Sequence, residues 1–309
     1  MPLVGTGDLV ARARAEGRAV AAFNVITLEH AEAVAAGAEA AGLPAVLQIS
    51  ENAVRFHGGR LGPLAAATAA VARASSARLA LHLDHVESVD LLHAAHAEGF
   101  GSVMFDASKR GYADNVKATA EAVRWGHERG LWVEAELGAV GGKEGDGPGP
   151  DVATLDAHAP GVRTDPAEAA AYVDATGVDA LAVAVGSSHA MTERTAELDH
   201  ALIARLRDAV PVPLVLHGSS GVPDMELRRA VASGMSKINV GTALNTAYTG
   251  TVRAFLEANG RVVDPRKYLA PAREAMAHTV DRFLRTVGGG TGDGVRDDVS
   301  GAGGEPGGA

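Results

Sequence analysis

The chain has twelve histidines and no cysteine. Any metal it holds must therefore be bound by imidazole, carboxylate or main-chain oxygen, and thiolate catalysis and disulfides are excluded. Three histidines stand out by position. His85, His189 and His217 each close a short apolar run, at LHLDH, AVGSSH and LVLH. If those ends converge, three imidazoles meet within the span of one ion and leave a coordination position open, a common catalytic zinc arrangement. His30, His93, His96, His127, His200 and His278 fall on helical patterns and read as solvated or boundary residues; His57 and His158 fall in loops.

The carboxylates near those run ends invite acid–base chemistry. Asp84 adjoins His85, where it could be a ligand, an orienter of a ligand or a free base. His82 lies two residues before Asp84 and shares its face; it reads as a hydrogen-bonded core histidine. Glu134 and Glu136 share one strand face. Glu134 reads as a buried partner of a lysine such as Lys237, and Glu136 as an accessory metal ligand. The stretch GAVGGKEGDGPGP (138–150) lacks the spacing of a P-loop and reads as a lid carrying Glu144. His217-Gly218-Ser219-Ser220-Gly221 precedes a helix expected near Pro223, where free amides make an anion site.

These groups meet only if the elements carrying them close into one frame. Eight strand-length apolar runs alternate with Ala-rich amphipathic segments: 19–25, 45–50, 79–85, 102–106, 132–138, 180–186, 213–218 and 236–242. Apolar strands separated by helices imply a parallel sheet covered on both faces, and eight such units imply a (β/α)8 TIM barrel. No Gly-rich fingerprint follows the first strand, at Phe23-Asn24-Val25-Ile26-Thr27, which argues against an open dinucleotide-binding sheet. Every run ends in polar residues: Asn24, Ser50-Glu51-Asn52, Asp84-His85, Asp106, Glu136, Ser187-Ser188-His189, His217 to Ser220, and Asn239 with Thr242. In a barrel all eight ends share the mouth where active sites are built.

Composition sets the outer limits. At 47% hydrophobic and 21% charged, residues 1–287 can form a single domain, while the Gly-rich 288–309 reads as a disordered tail. A net charge of −10 gives no footprint for nucleic acid, so an anionic substrate must be met by local donors or a metal. With no signal-like N-terminus and no long apolar run, a cytoplasmic protein without membrane contact is expected.

The ordered stretches HLDH (82–85), SVMFDAS (102–108), VEAELG (133–138), GGKE (141–144), GSSH (186–189), LVLHGSSG (214–221), KINVGT (237–242) and DPRKY (264–268) resemble the class II, metal-dependent ketose-bisphosphate aldolases. The resemblance implies reversible cleavage of fructose 1,6-bisphosphate to dihydroxyacetone phosphate and glyceraldehyde 3-phosphate. It implies Zn2+ on His85, His189 and His217, with Glu136 as alternate ligand and a monovalent cation near the phosphate. Asp84 would be the acid–base group at the C4 hydroxyl, and Glu144 the acid that exchanges a proton with the enediolate. Asn24, Ser50 and Asn239 would contact substrate, and Gly218, Ser220 and Thr242 would hold the dihydroxyacetone-phosphate end. Arg266 matches an arginine that reaches the other phosphate from a neighbouring subunit, so a homodimer or homotetramer is implied. Where the family usually has Gly after its second ligand, this chain has Ala190-Met191-Thr192. Tagatose 1,6-bisphosphate, a deoxy-keto-gluconate phosphate, or a catalytically silent sugar-phosphate-binding barrel are the alternatives. A lysine Schiff base through Lys237 would leave the three histidines unexplained.

Overall fold

The computed structural model describes residues 3–138, 163–189 and 191–289. The chain runs α1 (Thr6–Ala15), β1 (Val20–Asn24), α2 (Leu28–Ala41), β2 (Ala45–Ser50), α3 (Glu51–Phe56), α4 (Leu61–Ala74) and β3 (Leu79–Val86). It continues through α5 (Val89–Ala97), β4 (Ser102–Phe105), α6 (Tyr112–His127), β5 (Trp132–Leu137), α7 (Pro166–Thr176) and β6 (Ala180–Val183). The last elements are α8 (His200–Ala209), β7 (Leu214–Leu216), α9 (Asp224–Ser233), β8 (Met235–Val240), α10 (Thr242–Ala258) and α11 (Arg266–Gly288).

The eight strands form one closed parallel barrel in chain order, sealed where Val20 pairs with Lys237 and Phe23 with Val240. All eight expected runs are strands. Their outward residues, such as Phe23, Leu47, Leu81 and Leu83, pack under the helices, while Ala80, Ala180 and Ala182 keep the interior narrow. The strands at the second half of the barrel stop earlier than the apolar runs do. β6 ends at Val183 because the Ala184 amide donates to Thr164 Oγ1 at 2.9 Å instead of joining the ladder.

One element goes beyond the sequence reading. Residues ahead of β1 form α1, whose Leu9 and Ala13 close the barrel floor against Val20, Ala22, Val46 and Ala80. The spacing of Thr6, Leu9, Val10 and Ala13 is the helical signal for it. At the other end, α11 reaches Gly288, and the Ala19 amide donates to Val287 O at 2.9 Å, tying the end of the helix to the start of β1. The remainder of the expected tail, 290–309, lies outside the described residues. α11 lies on α2 at Gly37, where a Cβ would stand 2.6 Å from Ala277 O. Glycine is there for close approach.

Candidate metal centre and active site

β3 solves a geometric problem that its sequence poses. Ala80, His82 and Asp84 alternate into the barrel, and Leu81 and Leu83 face the helices. Strict alternation would send His85 outward with them. Instead the pairing with β4 shifts between Leu83 and Val86, and His85 adopts φ 50°, the only positive φ outside glycine among the described residues. Val86 takes the outward place, and Asp84 and His85 both face the mouth. A non-glycine residue held in this region costs about 1–3 kcal/mol.

Two of the three rings are then aimed by carboxylates. His85 Nδ1 donates to Asp106 Oδ2 at 2.8 Å, and His217 Nε2 donates to Glu134 Oε1 at 3.0 Å. Asn239 Nδ2 also lies 3.1 Å from His217 Nε2. That nitrogen cannot accept while it donates, and Glu134, which pairs with Lys237 Nζ at 2.8 Å, has the stronger claim on its proton. Asn239 Nδ2 then donates to Asp84 Oδ1 at 3.4 Å. With their outer nitrogens committed, His85 Nε2 and His217 Nδ1 confront one another at 3.1 Å. Two lone pairs at that distance repel unless a proton or a cation lies between them.

His189 and Glu136 complete the set. One ligand atom from each of His85, Glu136, His189 and His217 lies within 4.8 Å of all the others. The three rings stand nearly perpendicular, His85 to His189 at 71°, His85 to His217 at 86° and His189 to His217 at 83°. Imidazole nitrogens and a carboxylate oxygen suit zinc and its neighbours in the first transition row. Charge points the same way. Burial opposes a positive His85, yet Asp84, Asp106 and Glu136 outweigh it and push the ring up to about 9. Three carboxylates around the ring favour positive charge at this centre.

Asp84 is buried, and burial raises its carboxyl above the usual aspartate range, with Glu134 and Asp106 adding to the effect against His85 and Lys237. A carboxylate moved toward neutrality beside the cluster suits proton transfer. His82 is the core histidine expected: it is fully buried, its Nδ1 bonds Ser102 Oγ at 2.9 Å, and burial holds its pKa well down.

Asn24, Ser50, Asp84, His85, His189, His217, Gly218, Ser220, Asn239 and Thr242 all line one cavity of roughly 910 Å³, counted out to its open mouth. Glu136 lies beneath it in the ligand set. Gly218 sits at φ 66°, and a Cβ there would meet Ser188 O at 2.5 Å, so the backbone approach needs glycine. The expected anion site is corrected in one respect. Ser219 to Gly221 form a short 3-10 turn, and the helix whose first residues line the cavity is α10, not α9. Gly241, Thr242 and Asn245 present that N-terminus, and Ser220 Oγ accepts from the Ala243 amide at 3.0 Å.

One candidate stands apart. Arg266 opens α11 outside the cavity, 89% exposed and paired with Asp264 at 2.8 Å. Glu144 lies outside the described residues. Among the helical histidines, His30 proves buried rather than solvated, beside Thr27 Oγ1 at 3.1 Å, and burial lowers its pKa. Sequence reasoning assigned no role to Asp106, Arg55 or Lys109. Asp106 closes the strand next to that of His85, and this adjacency is the signal that could have marked it.

Comparison with known proteins adds an independent line. Residues 4–291 match the family model described as fructose-bisphosphate aldolase class-II. A fructose-bisphosphate aldolase of Geobacillus stearothermophilus is 38% identical over 289 residues, covering 93% of this chain and 98% of that protein. One of Thermus caldophilus is 36% identical, covering 91% and 96%. Among solved structures, the YdjI aldolase from Escherichia coli K12 superposes with a TM-score of 0.78 at 30% identity, over 94% of this chain and 98% of that one.

Proposed function

We propose a reaction from one premise: the chain belongs to the class II fructose-bisphosphate aldolase family. It is a lyase that reversibly cleaves fructose 1,6-bisphosphate to dihydroxyacetone phosphate and glyceraldehyde 3-phosphate. The observation that carries this reading is the convergence of His85, Glu136, His189 and His217 beside Asp84, in a cavity walled by Gly218, Ser220 and Thr242. The family is metal-dependent, and Zn2+ is the ion this donor set favours. When bound, it supplies Lewis-acid polarisation of the ketose carbonyl.

The chain's own groups divide the remaining work. Gly218, Ser220 and Thr242 hold the phosphate of the ketose half at the N-terminus of α10. Asn24, Ser50 and Asn239 orient the hydroxyls. Asp84 accepts the C4 hydroxyl proton as the C3–C4 bond breaks, and the electron pair stays on C3 while C4 becomes the aldehyde. Glu144 returns a proton to C3. Running the two transfers backwards gives condensation, so two separate carboxylates serve both directions. Arg266, exposed and outside the cavity of its own chain, serves the far phosphate of a neighbouring subunit in a cytoplasmic homo-oligomer.

A coupled assay with fructose and tagatose bisphosphates, with and without chelator, tests this. Cleavage of the fructose compound that stops on chelation and returns with zinc is expected. Preference for tagatose bisphosphate would move the substrate within the family. Full activity in metal-free protein, with borohydride trapping of substrate on a lysine, would overturn the metal reading.

A further inference from the structure

A ketose bisphosphate carries charge at both ends, and the cradle at Gly218, Ser220 and Thr242 accounts for one. That cradle sits at the ends of β7 and β8, so an extended substrate must direct its other end across the mouth, toward β2, β3 and β4. On that arc the cavity is lined by Glu51, Arg55, Glu87, Asp106 and Lys109. Arg55 and Lys109 are the only lysine or arginine side chains among the described residues lining the cavity. In a chain of net charge −10 their position matters.

The two cations belong to one connected framework. Arg55, on α3, bonds Glu51 Oε1 at 2.5 Å and Asn52 Oδ1 at 3.0 Å. The other oxygen of Glu51 accepts from the Glu87 amide at 2.8 Å and tethers the loop after β3 to the end of β2. From that loop the Glu87 side chain pairs with Lys109 Nζ at 3.2 Å, in the loop after β4. Glu51 is buried, so it anchors, whereas the Arg55 and Lys109 side chains are 55% and 51% exposed. The Lys109–Glu87 pair is open to water and of the kind that holds weakly, while buried Glu51 holds Arg55 at the rim with more than half of its side chain still facing the cavity and solvent, so both cations stand where a dianion can reach them.

We propose that Arg55 and Lys109 are specificity-determining residues that read the far phosphate of the ketose bisphosphate from within the same chain. This rests on the aldolase reading above. It is distinct from Arg266, which lies outside the cavity. A planar guanidinium and a compact ammonium flank the β3 end, one on each side, and together match a tetrahedral anion approached from two directions.

The test compares fructose 1,6-bisphosphate with fructose 1-phosphate, the same ketose without the far phosphate, on zinc-loaded protein. In Arg55→Met and in Lys109→Met the ratio of kcat/KM for the bisphosphate over the monophosphate should fall about tenfold, through KM. Lys109→Arg, which keeps the charge, should retain most of the ratio. A ratio that stays at the wild-type value in both methionine variants overturns the inference, whether the two activities hold or fall together. A wild-type protein that cleaves neither sugar would bring down the proposed function itself, and this inference with it.

Discussion

His85 and His217 turn their inner nitrogens toward each other because Asp106 and Glu134 take the outer ones. In the metal-free centre a proton relieves that opposition, and His85 keeps it up to about pH 9. An incoming ion must displace this proton, so metal affinity should rise with pH by up to about tenfold per unit below 9 and level off above it. Zinc titration against a competing chelator from pH 6.5 to 9.5 would measure the slope; a flat profile would show that no ligand proton is released. The two carboxylates separate by a different measurement. Asp84→Ala should block carbon–carbon cleavage with metal still bound, and Glu144→Ala should slow proton return to C3, each by roughly 10²–10⁴ in rate. Exchange of the carbon-bound proton of dihydroxyacetone phosphate with deuterium should be lost in Glu144→Ala and largely kept in Asp84→Ala, whose step needs the aldehyde. The opposite pattern would reverse the two roles.

Among the elements, β3 and α1 do opposite jobs. β3 spends conformational strain at His85 to turn two adjacent side chains into one mouth. α1 seals the far end of the barrel with Leu9, which is buried on Val20, Val46 and Ala80 and lies in a cluster separate from the candidate metal ligands. Leu9→Ala should therefore cost about 2–5 kcal/mol in stability. A lower Tm with kcat/KM unchanged at a temperature where the variant is folded is the expected result. A matching loss of activity in the folded variant would mean that the floor transmits strain to the site.

For the whole molecule, the position of Arg266 sets the expectation. It stands exposed on Asp264, outside its own chain's cavity, and the proposed assembly would bring it to a neighbour. Asp84→Ala and Arg266→Ala would each be crippled alone. Refolded together as a dimer, half the molecules pair one of each, and one site in such a pair has both residues, so about a quarter of all sites should recover. Activity that returns on mixing, read against each variant refolded alone, is the expected outcome; no recovery would place Arg266 outside the neighbouring site.

The strands, their order and their polar ends could be read from the chain because a parallel strand covered on both faces leaves a continuous apolar run, and a run stops where it meets a site. For that reason the three histidines, Asp84 and the Gly218–Ser220 turn could be picked out as candidates, and the structure brings them to one cavity; the ordered motifs pointed to the aldolase family. Closure of the barrel is what turns residues 132 apart in sequence, His85 and His217, into neighbours 3.1 Å apart. Local alternation predicts an outward His85, and only pairing with β4 reveals the bulge that brings it in. The contacts of Asp106 and Glu134 with the rings, the choice of α10 over α9 at the candidate anion site, and the Arg55–Glu51–Glu87–Lys109 framework also waited on tertiary structure. Hydropathy periodicity reports which face of an element meets apolar neighbours. It carries no information about which ring nitrogen, carboxylate oxygen or helix end from a distant strand will stand opposite.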